Sequence, residues 1–210
     1  MKNLRFEVIK YAKMLNSKKL SALRSGNISA RYKNGFLITP SGAKYSSLKN
    51  ENIVFVSHKG EFDKKKGIPS SEWRFHQDIY LNKIEAKAIV HAHSNCATAI
   101  STHGKKIPAF HYMVAMAGGN DIKCAKYATY GTRELSKNIL KALKNRSACL
   151  IANHGQIAFS EDLAKAFELA EEVENLSNQY INALKIGKPK ILPSKEMNKV
   201  LSKAKNYKKG

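Results

Sequence analysis

Ala88-Ile89-Val90-His91-Ala92-His93-Ser94 is an apolar run that closes on two imidazoles one alanine apart. Side chains at i and i+2 of a β-strand point to the same face. His91 and His93 are therefore expected side by side at a strand end, where they can share one metal ion. The same spacing in a loop would give two surface histidines, so a third ligand has to decide. His154, in the stretch Ile151-Ala152-Asn153-His154-Gly155-Gln156, also ends an apolar run and precedes a glycine. It is the natural third ligand. Three neutral imidazoles around one divalent ion, with an open coordination position, form the donor set of a catalytic zinc site. His58, His76, His103 and His111 lack a strand-end setting and read as surface or satisfied core residues.

Outward from this strand, the periodicity predicts helices mixed with hairpins. Leu4, Val8, Tyr11, Ala12 and Leu15 recur at helical spacing near the start. Asn34-Gly35 lies between the β-prone runs 28–32 and 36–39, a hairpin signal. The stretch 52–63 repeats the arrangement, with a turn expected near Lys59-Gly60. Residues 70–83 read as a helix with Ser70 or Ser71 as cap and Glu72 in its first turn. Further helices are expected over 94–101 and 132–144, two short strands around a turn at 153–155, and a long helix from Ser160. The lysine-rich tail from about Gly187 is expected to be partly mobile. Together these elements imply one domain over residues 1–210, a largely antiparallel sheet covered by helices.

The chain of 210 residues carries a formal net charge of +21. Only six of its 37 basic residues are arginine, and the lysines are spread along the chain rather than gathered into a stripe. No helix-turn-helix, RNP-like or zinc-finger pattern accompanies them, so nucleic acid is not an expected partner. Such a field still attracts small anions. No apolar run reaches the length of a membrane span, and the N-terminus lacks the uninterrupted apolar core of a secretory signal. Cys96, Cys124 and Cys149 are odd in number and far apart, which fits a reducing compartment. The expected address is the cytoplasm.

Three short turns carry small hydroxyl and amide residues: Ser25-Gly26-Asn27, Thr39-Pro40-Ser41-Gly42 and Pro69-Ser70-Ser71. Each alone is a turn or a helix cap. If they converge, Asn27, Ser41, the Gly42 amide, Ser70 and Ser71 form a phosphate cradle, strengthened by the amides of the following helix. Glu72 would then stand between phosphate and metal.

The segments Gly26-Asn27-Ile28-Ser29, Thr39-Pro40-Ser41-Gly42, 70–76, His91-Ala92-His93 and Asn153-His154-Gly155 occur in the order of the class II aldolase/adducin family, which the chain resembles from about residue 5 to about 186. Residues 107–136 look like the bacterial branch of that family acting on L-fuculose 1-phosphate. The resemblance implies an α/β, three-layer αβα subunit with a central mixed, mostly antiparallel sheet. It also implies a homotetramer with active sites between subunits, and one zinc ion per subunit. By the same resemblance, His91, His93 and His154 match zinc ligands, and Glu72 matches an acid/base carboxylate that also coordinates the metal in the absence of substrate. Asn27, Ser41, Gly42, Ser70 and Ser71 match phosphate-binding positions. Tyr112 matches a tyrosine serving the aldehyde oxygen in the neighbouring subunit's site, and Tyr207 a tail tyrosine closing over the substrate. Tyr130 falls at an aromatic lining position.

The implied reaction is reversible cleavage of L-fuculose 1-phosphate to dihydroxyacetone phosphate and L-lactaldehyde. Relatives that act as pentulose-phosphate 4-epimerases carry a motif resembling Ser-Ser-Asp where this chain has Ser70-Ser71-Glu72. Aldolases for ribulose or rhamnulose 1-phosphate share the chemistry. A non-catalytic adducin-like module would lack metal ligands. The chain departs from the aldolase pattern at Arg24-Ser25, where small residues including a threonine are usual. Ser25 can still donate a hydrogen bond, and Arg24 either adds charge or points away.

Overall fold

The computed structural model describes residues 2–207, with side chains described for 4–204. Helix α1 (Lys2–Ser17) buries Val8, Ala12 and Leu15. Strands β1 (Asn27–Tyr32) and β2 (Gly35–Ile38) form the first hairpin. Its turn is Lys33-Asn34, with Lys33 left-handed at φ 50°. Gly35 instead opens β2, where a Cβ would lie 2.1 Å from the Val56 carbonyl oxygen.

Strand β3 (Val54–Ser57) pairs with β2. The hairpin expected near Lys59-Gly60 does not form. The Ser57 amide donates to the Glu61 carbonyl at 2.9 Å and closes a turn, but no strand follows before residue 88 among the described residues. The run 61–66 is mostly charged and largely solvent-facing, so it has no apolar face to bury.

Helix α2 (Trp73–Asn82) begins later than the sequence suggests. Glu72 occupies the cap position without a side-chain cap bond, and Ser70 Oγ accepts from the Glu72 amide at 3.3 Å. The elements that follow are β4 (Ala88–Ala92), α3 (Asn95–Ser101), β5 (Ile107–Pro108), β6 (Asp121–Ile122) and β7 (Cys124–Ala125). Then come α4 (Arg133–Ala142), β8 (Ala148–Ile151), β9 (Gly155–Ser160), α5 (Leu163–Ile186) and α6 (Ser194–Tyr207). Thr132 and Asp162 cap α4 and α5, accepting from Leu135 and Lys165 amides. The lysine-rich tail contributes α6, anchored by the fully buried Met197.

The main sheet has seven strands in the order β3-β2-β1-β4-β9-β8-β7. Only the β7–β8 pair is parallel. Alternation along β4 divides the core in two: Ala88, Val90 and Ala92 face the layer of α1, α3 and α5, and Ile89 faces α2 and α4. The fold is therefore three-layer αβα. His91 shares the parity of Ile89 and lies edge-on to Phe75 of α2, with ring centroids 5.3 Å apart. Among the described residues no helix is long and apolar enough to cross a membrane.

Candidate metal centre and adjoining pocket

Sheet register brings the site together. Asn27 at the start of β1 faces His91 near the end of β4, and Ala92 faces Gln156 at the start of β9. His154 sits in the tight β8–β9 turn, so all three histidines and Asn27 gather at one end of the sheet. Gly155 permits this closeness: a Cβ there would lie 2.4 Å from the Ala92 carbonyl oxygen and 3.2 Å from the His93 ring. Gly26, at φ 77°, is similarly enclosed by His91 and Ser21. The Tyr45 hydroxyl donates to the Gly26 carbonyl at 2.5 Å and holds that turn, and burial pushes the phenol up to about 12.

Glu72, His91, His93 and His154 present ligand atoms that lie within 4.8 Å of one another. The Nε2 atoms of His91 and His93 are 2.9 Å apart. Glu72 approaches His91 Nε2 at 3.2 Å with Oε2 and His154 Nε2 at 3.1 Å with Oε1. His91 Nδ1 donates to the Gln156 carbonyl at 2.8 Å, so its Nε2 lone pair is free to face the cluster. Ser21 Oγ accepts from the His93 amide at 3.0 Å and steadies the strand end. Burial pushes the His93 imidazole down to about 3, with His91 and His154 adding to the effect, so it stays neutral. Burial opposes the charge on Glu72, but His91 and His154 outweigh it and hold the carboxyl well below the usual range. Despite its contact with His154, Glu72 Oε1 is buried without a hydrogen bond. A buried carboxylate oxygen with no donor, set among three imidazoles, fits a divalent cation.

The turns expected to make a cradle do converge. Residues 39–41 and 68–70 run antiparallel, with Ser41 N–H donating to Ile68 O at 3.1 Å and Ser70 N–H to Thr39 O at 3.0 Å. Thr39 in turn joins β1, its hydroxyl accepting from the Ile28 amide at 3.2 Å. The result is a pocket of about 340 Å³ whose walls include Asn27, Ser41, Gly42, Ser70 and Ser71 beside Glu72, His93 and His154. Arg24, Tyr127 and Tyr130 line its rim. Arg24 does not point away: its guanidinium donates to the Gly42 carbonyl at 3.0 Å. Ser25 turns its hydroxyl back to the Ala22 carbonyl at 2.7 Å.

Residues 6–181 match the family described as Class II Aldolase and Adducin N-terminal domain. The chain belongs to this class II aldolase family. Its members of this kind are metal-dependent aldehyde-lyases. This aldolase is 47% identical over 204 residues to the 5-methylthioribulose-1-phosphate/5-deoxyribulose-1-phosphate aldolase of Rhodospirillum rubrum, covering 97% of the chain and 92% of that protein. It is 48% identical over 184 residues to the L-fuculose phosphate aldolase of Escherichia coli K12, covering 87% of the chain and 85% of that protein. A solved L-fuculose 1-phosphate aldolase superimposes with a TM-score of 0.94 at 39% identity, covering 98% of this chain and 97% of that one.

One candidate residue, Tyr112, lies outside this pocket. Tyr112 opens a 3-10 segment, Tyr112–Ala117, is 53% exposed, and does not line the pocket of its own chain. The Tyr207 side chain lies outside the described residues. Sequence reasoning also missed groups that support the site from behind, namely Ser21, Tyr45, the Gln156 carbonyl and His76. Their partners are distant in sequence, and no local spacing announces them.

Proposed function

We propose that this class II aldolase reversibly cleaves the C3–C4 bond of a short ketose 1-phosphate, releasing dihydroxyacetone phosphate and a small aldehyde. The observation that carries the reading is the single pocket in which hydroxyl and amide donors stand beside the Glu72–His91–His93–His154 cluster. Asn27, the Gly42 amide, Ser70 and Ser71 hold the phosphate, with Ser41 at the same wall. A divalent ion, zinc in this reading and one per subunit, would be held by the three histidines, with Glu72 as a further ligand until substrate binds, and would supply a Lewis acid.

In cleavage, the C4 hydroxyl gives up its proton as the C3–C4 bond breaks, and the electron pair stays with C3. In the condensation direction Glu72, ionised and buried, takes the proton from C3 while the aldehyde oxygen gains one, and cleavage reverses both transfers. Tyr112 carries the proton on the aldehyde oxygen from a neighbouring copy, which makes a homotetramer with shared sites the working assembly; its exposed ring is consistent with that task. Tyr207 is assigned to closing the site.

The substrates named for the relatives share carbons 1 to 3 and the phosphate, and differ beyond carbon 4. L-Fuculose 1-phosphate, 5-deoxyribulose 1-phosphate and 5-methylthioribulose 1-phosphate are therefore the proposed substrates, each with an apolar far end. Three free cysteines agree with a cytoplasmic enzyme. The test is a panel assay that couples dihydroxyacetone phosphate to a reducing enzyme. Turnover of at least one of the three is expected, with none for ribulose 5-phosphate. Epimerisation of ribulose 5-phosphate without cleavage would overturn the reading.

A further inference from the structure

Behind Glu72 runs a buried chain of polar groups that neither metal binding nor proton transfer requires. Asn27 Nδ2 donates to Glu72 Oε2 at 2.9 Å. Asn27 Oδ1 lies 2.5 Å from His76 Nε2, and His76 Nδ1 lies 2.7 Å from Ser29 Oγ. Ser29 Oγ in turn lies 2.7 Å from the Tyr80 hydroxyl. Asn27, Ser29, His76 and Tyr80 are all buried to 2% exposure or less.

The protons in this chain have one consistent assignment. An ionised carboxylate only accepts, so Asn27 must turn its NH2 group toward Glu72 and its oxygen toward His76. That oxygen also only accepts, so His76 carries its hydrogen on Nε2. Burial pushes the His76 imidazole down to about 3, so it is neutral and its Nδ1 is bare. Ser29 then donates to Nδ1, and Tyr80, whose phenol burial keeps protonated, donates to Ser29. Every donor points toward Glu72. The second hydrogen of the Asn27 amide has no protein acceptor among the described residues, and Asn27 lines the pocket.

We propose that His76 is a positioning residue, locked by Ser29 and Tyr80, which fixes the Asn27 amide so that one N–H holds Glu72 and the other serves the substrate phosphate. Phosphate binding and placement of the base are then coupled through a single side chain. Without the His76 donor, Asn27 can flip and set its oxygen against the carboxylate, losing both contacts. The catalytic half of this inference rests on the aldolase reading; the tautomer and the phosphate site do not.

Long-range proton–nitrogen NMR of the metal-loaded protein should find His76 protonated at Nε2 alone between pH 6 and 8. A proton on Nδ1, or a mixture, overturns the proposal. His76→Phe keeps the ring stacked near Phe36 and Phe75. It should retain its metal yet lose about 10-fold in kcat, with weaker inhibition by inorganic phosphate. His76→Gln, which keeps a donor, should recover part of both. A folded, metal-loaded His76→Phe with unchanged kcat and phosphate inhibition overturns the proposal. Should that variant fail to fold, Ser29→Ala decides, with the same direction and a smaller loss expected; no change in tautomer or kinetics counts against it. If the wild type cleaves no ketose 1-phosphate, the aldolase reading falls, and the tautomer with the affinity for inorganic phosphate still judges the coupling.

Discussion

Arg24 brings a full positive charge to a pocket whose other proposed phosphate-holding groups are neutral. Its guanidinium already holds the Gly42 carbonyl, so it both steadies the turn and leaves donors facing the rim. It is exposed, and salt screens it. Arg24→Ala should therefore raise KM for the sugar phosphate by about 3- to 10-fold at low salt, with kcat little changed and the difference shrinking as salt rises. Initial rates at two ionic strengths check this. At this scale the cluster that could hold a metal was legible, because His91 and His93 stand out by strand parity and His154 by its place before Gly155. His76 was read as a surface or satisfied core residue, and it is fully buried. Its link to Asn27 was invisible, because 49 residues separate the two in the chain.

The β4–β9 ladder and the Pro40–Pro69 bridge convert separate motifs into one site. Gly155→Ala would drive a methyl against the Ala92 carbonyl and toward the His93 ring. It should destabilise the fold by about 1–3 kcal/mol, as overpacking does, and weaken metal binding with it. Thermal unfolding with and without chelator measures both. Most elements could be read from apolar period and turn residues, as α5 and the β8–β9 hairpin show. The second hairpin near Gly60 failed because a turn signal needs two apolar strands to join, and 61–66 supplies none. The start of α2 was misplaced because Ser70 and Ser71 serve the pocket and the turn rather than the helix end.

Over the whole molecule, the buried His76 and the half-buried His93 set an acid limit. His76 and His93 are pushed down to about 3 from an ordinary 6.5. Below pH 6.5 the unfolded chain takes up protons that the folded chain refuses, so stability falls with pH down to about 3. Chelator-treated protein should show a falling denaturation midpoint across that window, and a flat profile would contradict it. Assembly is tested by mixing Glu72→Gln with Tyr112→Phe under subunit exchange. Shared sites restore part of the activity; exchange without recovery places Tyr112 outside the neighbour's site. The most direct test of the metal-assisted aldolase is a titration of chelator-stripped protein with zinc while dihydroxyacetone phosphate release is followed. Activity should rise from near zero and break at about one equivalent per chain, as one four-ligand site requires. Full activity in the stripped protein, or a rate that ignores added metal, would contradict the account.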